Sequence, residues 1–215
     1  VTAHIPQYKL SYISVPKNAC SSLKKMLFRL EKGRDLQAYT ANGALRTVHH
    51  VYPSKPYDRW RQQMPAGHWT FAVLRDPLDR LISTYTNKIL QLDVLRDMEL
   101  EAGDLDRGLT TRPSLPEFVR FLGRYRGLSR EIRRHTDPQV TFLGPDPAFF
   151  DRLYPMQALP ELAEDLEKRT GQTLTLGQNN ASTEFRAGLP ALSQNERAKL
   201  EDFYAEDYAA YGALF

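Results

Sequence analysis

The chain has 215 residues, one cysteine and a formal net charge of +3, with a sequence pI of 8.9. That length suffices to bury a substantial core as one domain over residues 1–215, and a single cysteine excludes an intrachain disulfide framework and a cysteine-based zinc site. No run approaches the roughly 20 apolar residues of a membrane span, and no stretch interleaves basic and aromatic residues as nucleic-acid binding would require.

In chain order, "YKLSYISV" (8–15) alternates and then turns apolar, predicting a buried first strand that Pro16 breaks. The helix that follows sets Leu23, Met26, Leu27 and Leu30 on one face, the spacing of a helix packed on a sheet. A second such unit starts at Trp69 to Leu74, a continuous apolar run. A helical stripe of Leu78, Leu81, Ile82, Tyr85, Ile89 and Leu92 comes next, with Pro77 in the first turn. Two strand-loop-helix units with apolar strands predict an α/β fold, a central parallel sheet flanked by helices.

Residues 97–113 read as a surface excursion suited to a lid over substrate. Ser114 to Glu117 forms a capping-box pattern ahead of Phe118, Phe121, Leu122 and Tyr125. Residues 136–149 are expected to be irregular or short strand, and "FDRLYPM" a further strand. A helix through Leu162 and Leu166 should stop at Gly171. Ser193 and Glu196 cap the last helical region, whose Leu200, Phe203, Tyr204, Tyr208 and Tyr211 read as core packing.

The chemistry concentrates at the ends of the two long strands. Ligands of open parallel sheets sit outside the carboxyl ends of the strands, where helix-start amides favour an anion. Residues 16–24, "PKNACSSLK", stand at such a place. Lys17 supplies a charge, Ser21 and Ser22 supply hydroxyls, and Cys20 reads as a small packing residue within the loop. The competing reading is a solvent-exposed Lys17 and a serine that merely caps the helix. In "VLRDPLDRLISTY", Arg75 follows a strand and Ser83 lies two turns into the next helix, so that a guanidinium and a hydroxyl can grip one phosphate. Asp76 is suited to capping and Asp79 to the helix dipole, with Arg80 read as a surface cation.

Two anion grips at the ends of adjacent strands imply a ligand with two separated phosphate-like groups. Here the sequence resembles the sulfotransferases that use 3′-phosphoadenosine 5′-phosphosulfate (PAPS). "VPKNACSSLKKML" is similar to that family's 5′-phosphosulfate motif, and "FAVLRDPLDRLISTYTNKI" to its 3′-phosphate motif. The likeness is to the carbohydrate sulfotransferase branch, with "RRHTDPQV", "FDRLYPMQALPELAEDL" and "FYAEDYAAYG" following its later landmarks in order. It implies a P-loop-NTPase-like sulfotransferase fold and a carbohydrate hydroxyl as acceptor. PAPS is then the cosubstrate and adenosine 3′,5′-bisphosphate the product, with no metal ion. It assigns Lys17, Ser21 and Ser22 to the 5′-phosphosulfate, with Asn18 and Ala19 contributing backbone contacts and Cys20 in the same cofactor-binding loop, and Arg75 and Ser83 to the 3′-phosphate. Animal members usually carry an amino-terminal anchor and several cysteines, so the expectation is a soluble bacterial-type member in the cytoplasm, an anchor upstream of residue 1 being left open.

Attack by a sugar hydroxyl benefits from a general base. "RTVHHVYP" sets His49 and His50 between the two motifs, where related enzymes often carry a catalytic histidine, and in an extended segment only one of the pair would face the cleft. His135 in "RRHTDPQ" is the second candidate, on the acceptor side; its plain alternative is a loop histidine bonded to backbone. Two other functions stay open: a small-molecule kinase, which lacks its Gly-x-x-x-x-Gly-Lys-Ser/Thr loop here, and a noncatalytic adenosine-bisphosphate-binding module.

Overall fold

The computed structural model describes residues 3–177 and 189–215. Two units make up the α/β architecture: Val1–Arg75 with Gln139–Asn179 and Ala209–Phe215, and Asp76–Pro138 with Asn180–Tyr208. In the first unit, the strand Leu10–Ile13 pairs parallel with Trp69–Leu74, which pairs parallel with Arg152–Pro155. The strand Ala3–Ile5 closes one edge, antiparallel to Leu10–Ile13. Its three residues are too few for a period-2 signal, which is why the sequence did not predict it.

The apolar runs are continuous because both sheet faces are covered. Tyr12, Phe71, Val73 and Tyr154 pack on one side with Leu23, Leu27, Leu162 and Leu166. Their alternating neighbours Ile13, Ala72 and Leu74 pack on the other with Trp60, Phe142, Leu143 and Tyr211. The helix Cys20–Lys32 supplies Leu23, Met26, Leu27 and Leu30 as predicted, and ends at Gly33 with φ 67°. The helix Leu159–Thr170 ends the same way at Gly171. A small hairpin, Tyr39–Ala41 with Ala44–Arg46, turns on Asn42 and Gly43, both at positive φ, as an Asn-Gly turn requires. Gly144 combines φ 83° with a close approach: a Cβ there would lie 2.6 Å from the Tyr57 ring.

The second unit is helical, with its own core of Leu81, Tyr85, Phe118, Leu122, Tyr125, Ile132, Leu200 and Tyr204. Asp76 accepts a hydrogen bond from the Asp79 amide, and Pro77 opens the helix Pro77–Tyr85. A π-helical stretch, Thr86–Gln91, extends it. That wider turn rotates the predicted stripe, so Ile89 stays buried while Leu92 is 56% exposed. Capping boxes at Ser114–Glu117 and Ser193–Glu196 form as expected. Residues 136–149 carry no strand; they are irregular apart from the end of the helix Arg130–Thr136 and the short helical turns Val140–Leu143 and Pro147–Phe149. Residues 97–113 form the expected surface excursion, mostly exposed, with Leu109 and Asp104 buried and Asp104 paired with Arg124 at 2.6 Å. Among the described residues, no helix is long and apolar enough to cross a membrane.

Candidate functional site

The loop after Leu10–Ile13 follows an unusual backbone. Lys17 has φ 72° and Ala19 has φ 53°, left-handed values that glycine adopts at no cost and other residues adopt only when their surroundings enforce them. Such a tight strand-to-helix loop forms here without glycines. Left-handed Ala19 followed by helical Cys20 turns successive amides toward one side, the concavity that suits an anion. Ala19 takes the N-cap position with no side-chain cap, so neither Ser21 nor Ser22 caps this helix. The first-turn amides have no intrahelical partner by helix geometry.

A buried bracket enforces the loop. Asn18 Nδ2 donates to Val73 O at 2.8 Å and to Gln139 Oε1 at 2.6 Å. Gln139 in turn accepts from the Arg75 amide at 3.2 Å and donates to Arg75 O at 2.8 Å. Both side chains are fully buried. The Asn18 amide also turns inward, donating to Val15 O at 3.3 Å. Arg75 Nη1 donates to Lys17 O at 3.0 Å, so the two cations that the sequence assigns to separate motifs stand at neighbouring strand ends.

His49 and His50 lie in one helical turn, Val48–Val51, rather than in an extended segment. His50 Nδ1 accepts the Thr47 amide hydrogen at 3.1 Å and completes a capping box. His49 faces the loop helix: its Nε2 is 2.9 Å from Ser21 Oγ, and its Nδ1 is 3.4 Å from Lys24 Nζ. Lys24, one turn beyond Ser21, is fully buried and donates to Ser54 Oγ at 3.0 Å, and Ser54 meets Ser14 at 2.7 Å. Tyr52 anchors this turn by donating to the Glu31 carboxylate of the loop helix. Burial first, and that carboxylate second, raise the Tyr52 hydroxyl well above the usual phenol range. His4 and His68 share Ser11 near the amino end of the parallel strands, away from the loop.

The remaining candidates belong to the second unit. Ser83 is buried on Pro77–Tyr85. Arg80 is not a surface cation: it is fully buried, donates to His135 O at 3.2 Å and to Asp137 O, and lies over the Tyr204 ring. His135 sits in the last turn of the helix Arg130–Thr136, not in a loop, and its Nδ1 bonds Glu131 O at 2.8 Å. Its carbonyl also accepts from Thr84 at 2.9 Å. A cavity of about 1000 Å³ in this unit mixes Leu78, Ile82 and Leu192 with Asp76, Arg197 and Glu201. Among the described residues, no group of three or more His, Cys, Asp or Glu could hold a metal ion.

Sequence reasoning missed Lys24, Gln139 and Ser54. None carries a local signal: a lysine on a helix, a glutamine after proline and a serine in a loop are ordinary until the fold buries them.

A mixed sheet with parallel central strands, flanked by helices, defines an α/β protein. The chain belongs to the sulfotransferase family, whose model matches residues 3–212, and is thereby a transferase. No curated protein and no solved structure matches it.

Proposed function

We propose that the chain transfers the sulfuryl group of PAPS to an acceptor hydroxyl on a carbohydrate, releasing adenosine 3′,5′-bisphosphate. The observation that carries this reading is the meeting of Lys17 and Arg75 beside a loop whose left-handed backbone presents helix-start amides. The donor set fits the cosubstrate: a lysine, two serine hydroxyls, first-turn amides and a guanidinium are all hydrogen-bond donors suited to phosphate and sulfate oxygens. Lys17, Ser21 and Ser22, with the amides around Ala19 and Cys20, hold the 5′-phosphosulfate; Arg75 and Ser83 hold the 3′-phosphate. Bound there, PAPS would supply a sulfuryl group for in-line uptake by an acceptor oxygen, the bridging S–O bond breaking with its electron pair left on phosphate and the acceptor's hydroxyl proton leaving to solvent.

Lys17 offsets the charge that develops on that phosphate, and the buried Asn18–Gln139 bracket keeps the loop amides aimed without reorganisation. His49, rather than capped His50, is the histidine of this site, and His135 stays an acceptor-side candidate. The mixed apolar and charged walls of the second unit's cavity suit a sugar, which presents hydroxyls at its edge and C–H groups on its faces. The continuous family match from residue 3 to 212 supports reading the chain as a single sulfotransferase domain.

Calorimetry with adenosine 3′,5′-bisphosphate tests the cofactor. Arg75→Ala should weaken binding by about 10- to 100-fold, the loss of a charge-assisted hydrogen bond, and indifference of the wild type to this ligand would sink the proposal. Labelled PAPS incubated with a panel of glycans, lipids and small alcohols then tests transfer and acceptor together. Binding without turnover on any acceptor would favour the noncatalytic module.

A further inference from the structure

We propose that Lys24 is a positioning residue that locks His49 in its Nε2–H tautomer, so that His49 serves the loop as a hydrogen-bond donor instead of taking a proton from the acceptor. An ammonium has three donors and no acceptor. Lys24 Nζ is fully buried, with Ser54 Oγ at 3.0 Å and His49 Nδ1 at 3.4 Å within its reach. Opposite an ammonium, Nδ1 must present its lone pair, and the single proton of the neutral ring then sits on Nε2. That nitrogen is 2.9 Å from Ser21 Oγ, which receives the hydrogen and turns its own toward the first turn of the helix. Donation therefore runs one way, from buried Lys24 through His49 to Ser21 and on to an anion in the loop. A base at Nε2 would need its proton on Nδ1, with an N–H pointed at another N–H. His50 shares the same tautomer for a different reason, because its Nδ1 accepts the Thr47 amide hydrogen.

With Lys24 as an ammonium the tautomer follows from this geometry, while its consequence for turnover rests on the proposed sulfuryl transfer. Two readouts separate these. Imidazole ¹⁵N shifts of the wild-type protein at neutral pH should report a protonated Nε2 and a bare Nδ1 for His49, and Lys24→Met should collapse this to averaged shifts. A protonated Nδ1 in the wild type overturns the lock whether or not the protein transfers sulfuryl groups. Turnover tests the role. Gln carries an N–H near the position of Nε2 and no basic lone pair, so His49→Gln should turn over at least about tenfold faster than His49→Ala, whose lost donor costs about 10²-fold. Equal losses of 10²-fold or more in both variants make His49 a base and overturn the donor role. Should Lys24→Met fail to fold, the wild-type spectrum and the two surface His49 variants decide the matter.

Discussion

Asn18 stands next to the lysine that the sequence singles out, yet its side chain faces the interior. Both hydrogens it offers go to acceptors that the fold brings in from elsewhere, Val73 O and Gln139 Oε1, the latter separated by 121 positions. Removing the amide leaves those acceptors short of a donor in a buried place, which costs about 1–3 kcal/mol. Asn18→Ala should lower the unfolding free energy from urea titration by that amount, moving the midpoint down, and weaken bisphosphate binding, since the bracket holds the left-handed backbone of Lys17 and Ala19 in place. Asn18→Asp should do worse, because a carboxylate would meet two acceptors. Unchanged midpoints in both variants would remove the bracket from the account. Arg80 makes the same point in reverse: its motif suggested an exposed cation, and only the carbonyls of His135 and Asp137 explain its burial.

At the scale of elements, capping and periodicity were legible and their exceptions have local causes. Ser114 and Ser193 cap as written, and the Glu117 and Glu196 carboxylates sit below their usual range because they accept hydrogen bonds from those serines. The stripe beyond Tyr85 goes astray at Leu92 because a π turn inserts an extra residue, which no propensity reveals. The short helix Ala102–Asp106 is tied to Leu122–Leu128 through Asp104 and Arg124. The Arg124 hydrogen bond holds the Asp104 carboxyl below its ordinary value, outweighing the opposing effect of burial. A depressed carboxyl stabilises the fold at pH above its unfolded value of about 4 and ceases to do so as pH falls through the folded value. Thermal melts from neutral to acid pH should therefore show Asp104→Asn less stable than wild type near neutrality, with the gap closing below about pH 4. A gap that persists at low pH would assign the loss to packing instead of charge.

For the whole molecule, the net charge of +3 is small, so attraction of a multiply charged nucleotide depends on a few local cations. If the loop binds adenosine 3′,5′-bisphosphate, the ligand at 100 times its Kd should stabilise the folded chain by about 2.7 kcal/mol. The accompanying rise in Tm should shrink as salt is raised, because exposed charges are screened. A Tm unmoved by ligand at low salt would count against the site. The amino-acid sequence by itself determined the covered parallel strands, the amphipathic helices, the caps and the position of the loop, since each depends on residues within a few positions of one another. Tertiary structure alone decided that His49 and not His50 meets the loop helix, that Lys24 stands behind it and that Gln139 braces the loop. Those choices rest on distances between side chains 25 to 121 positions apart, which only the closed fold sets.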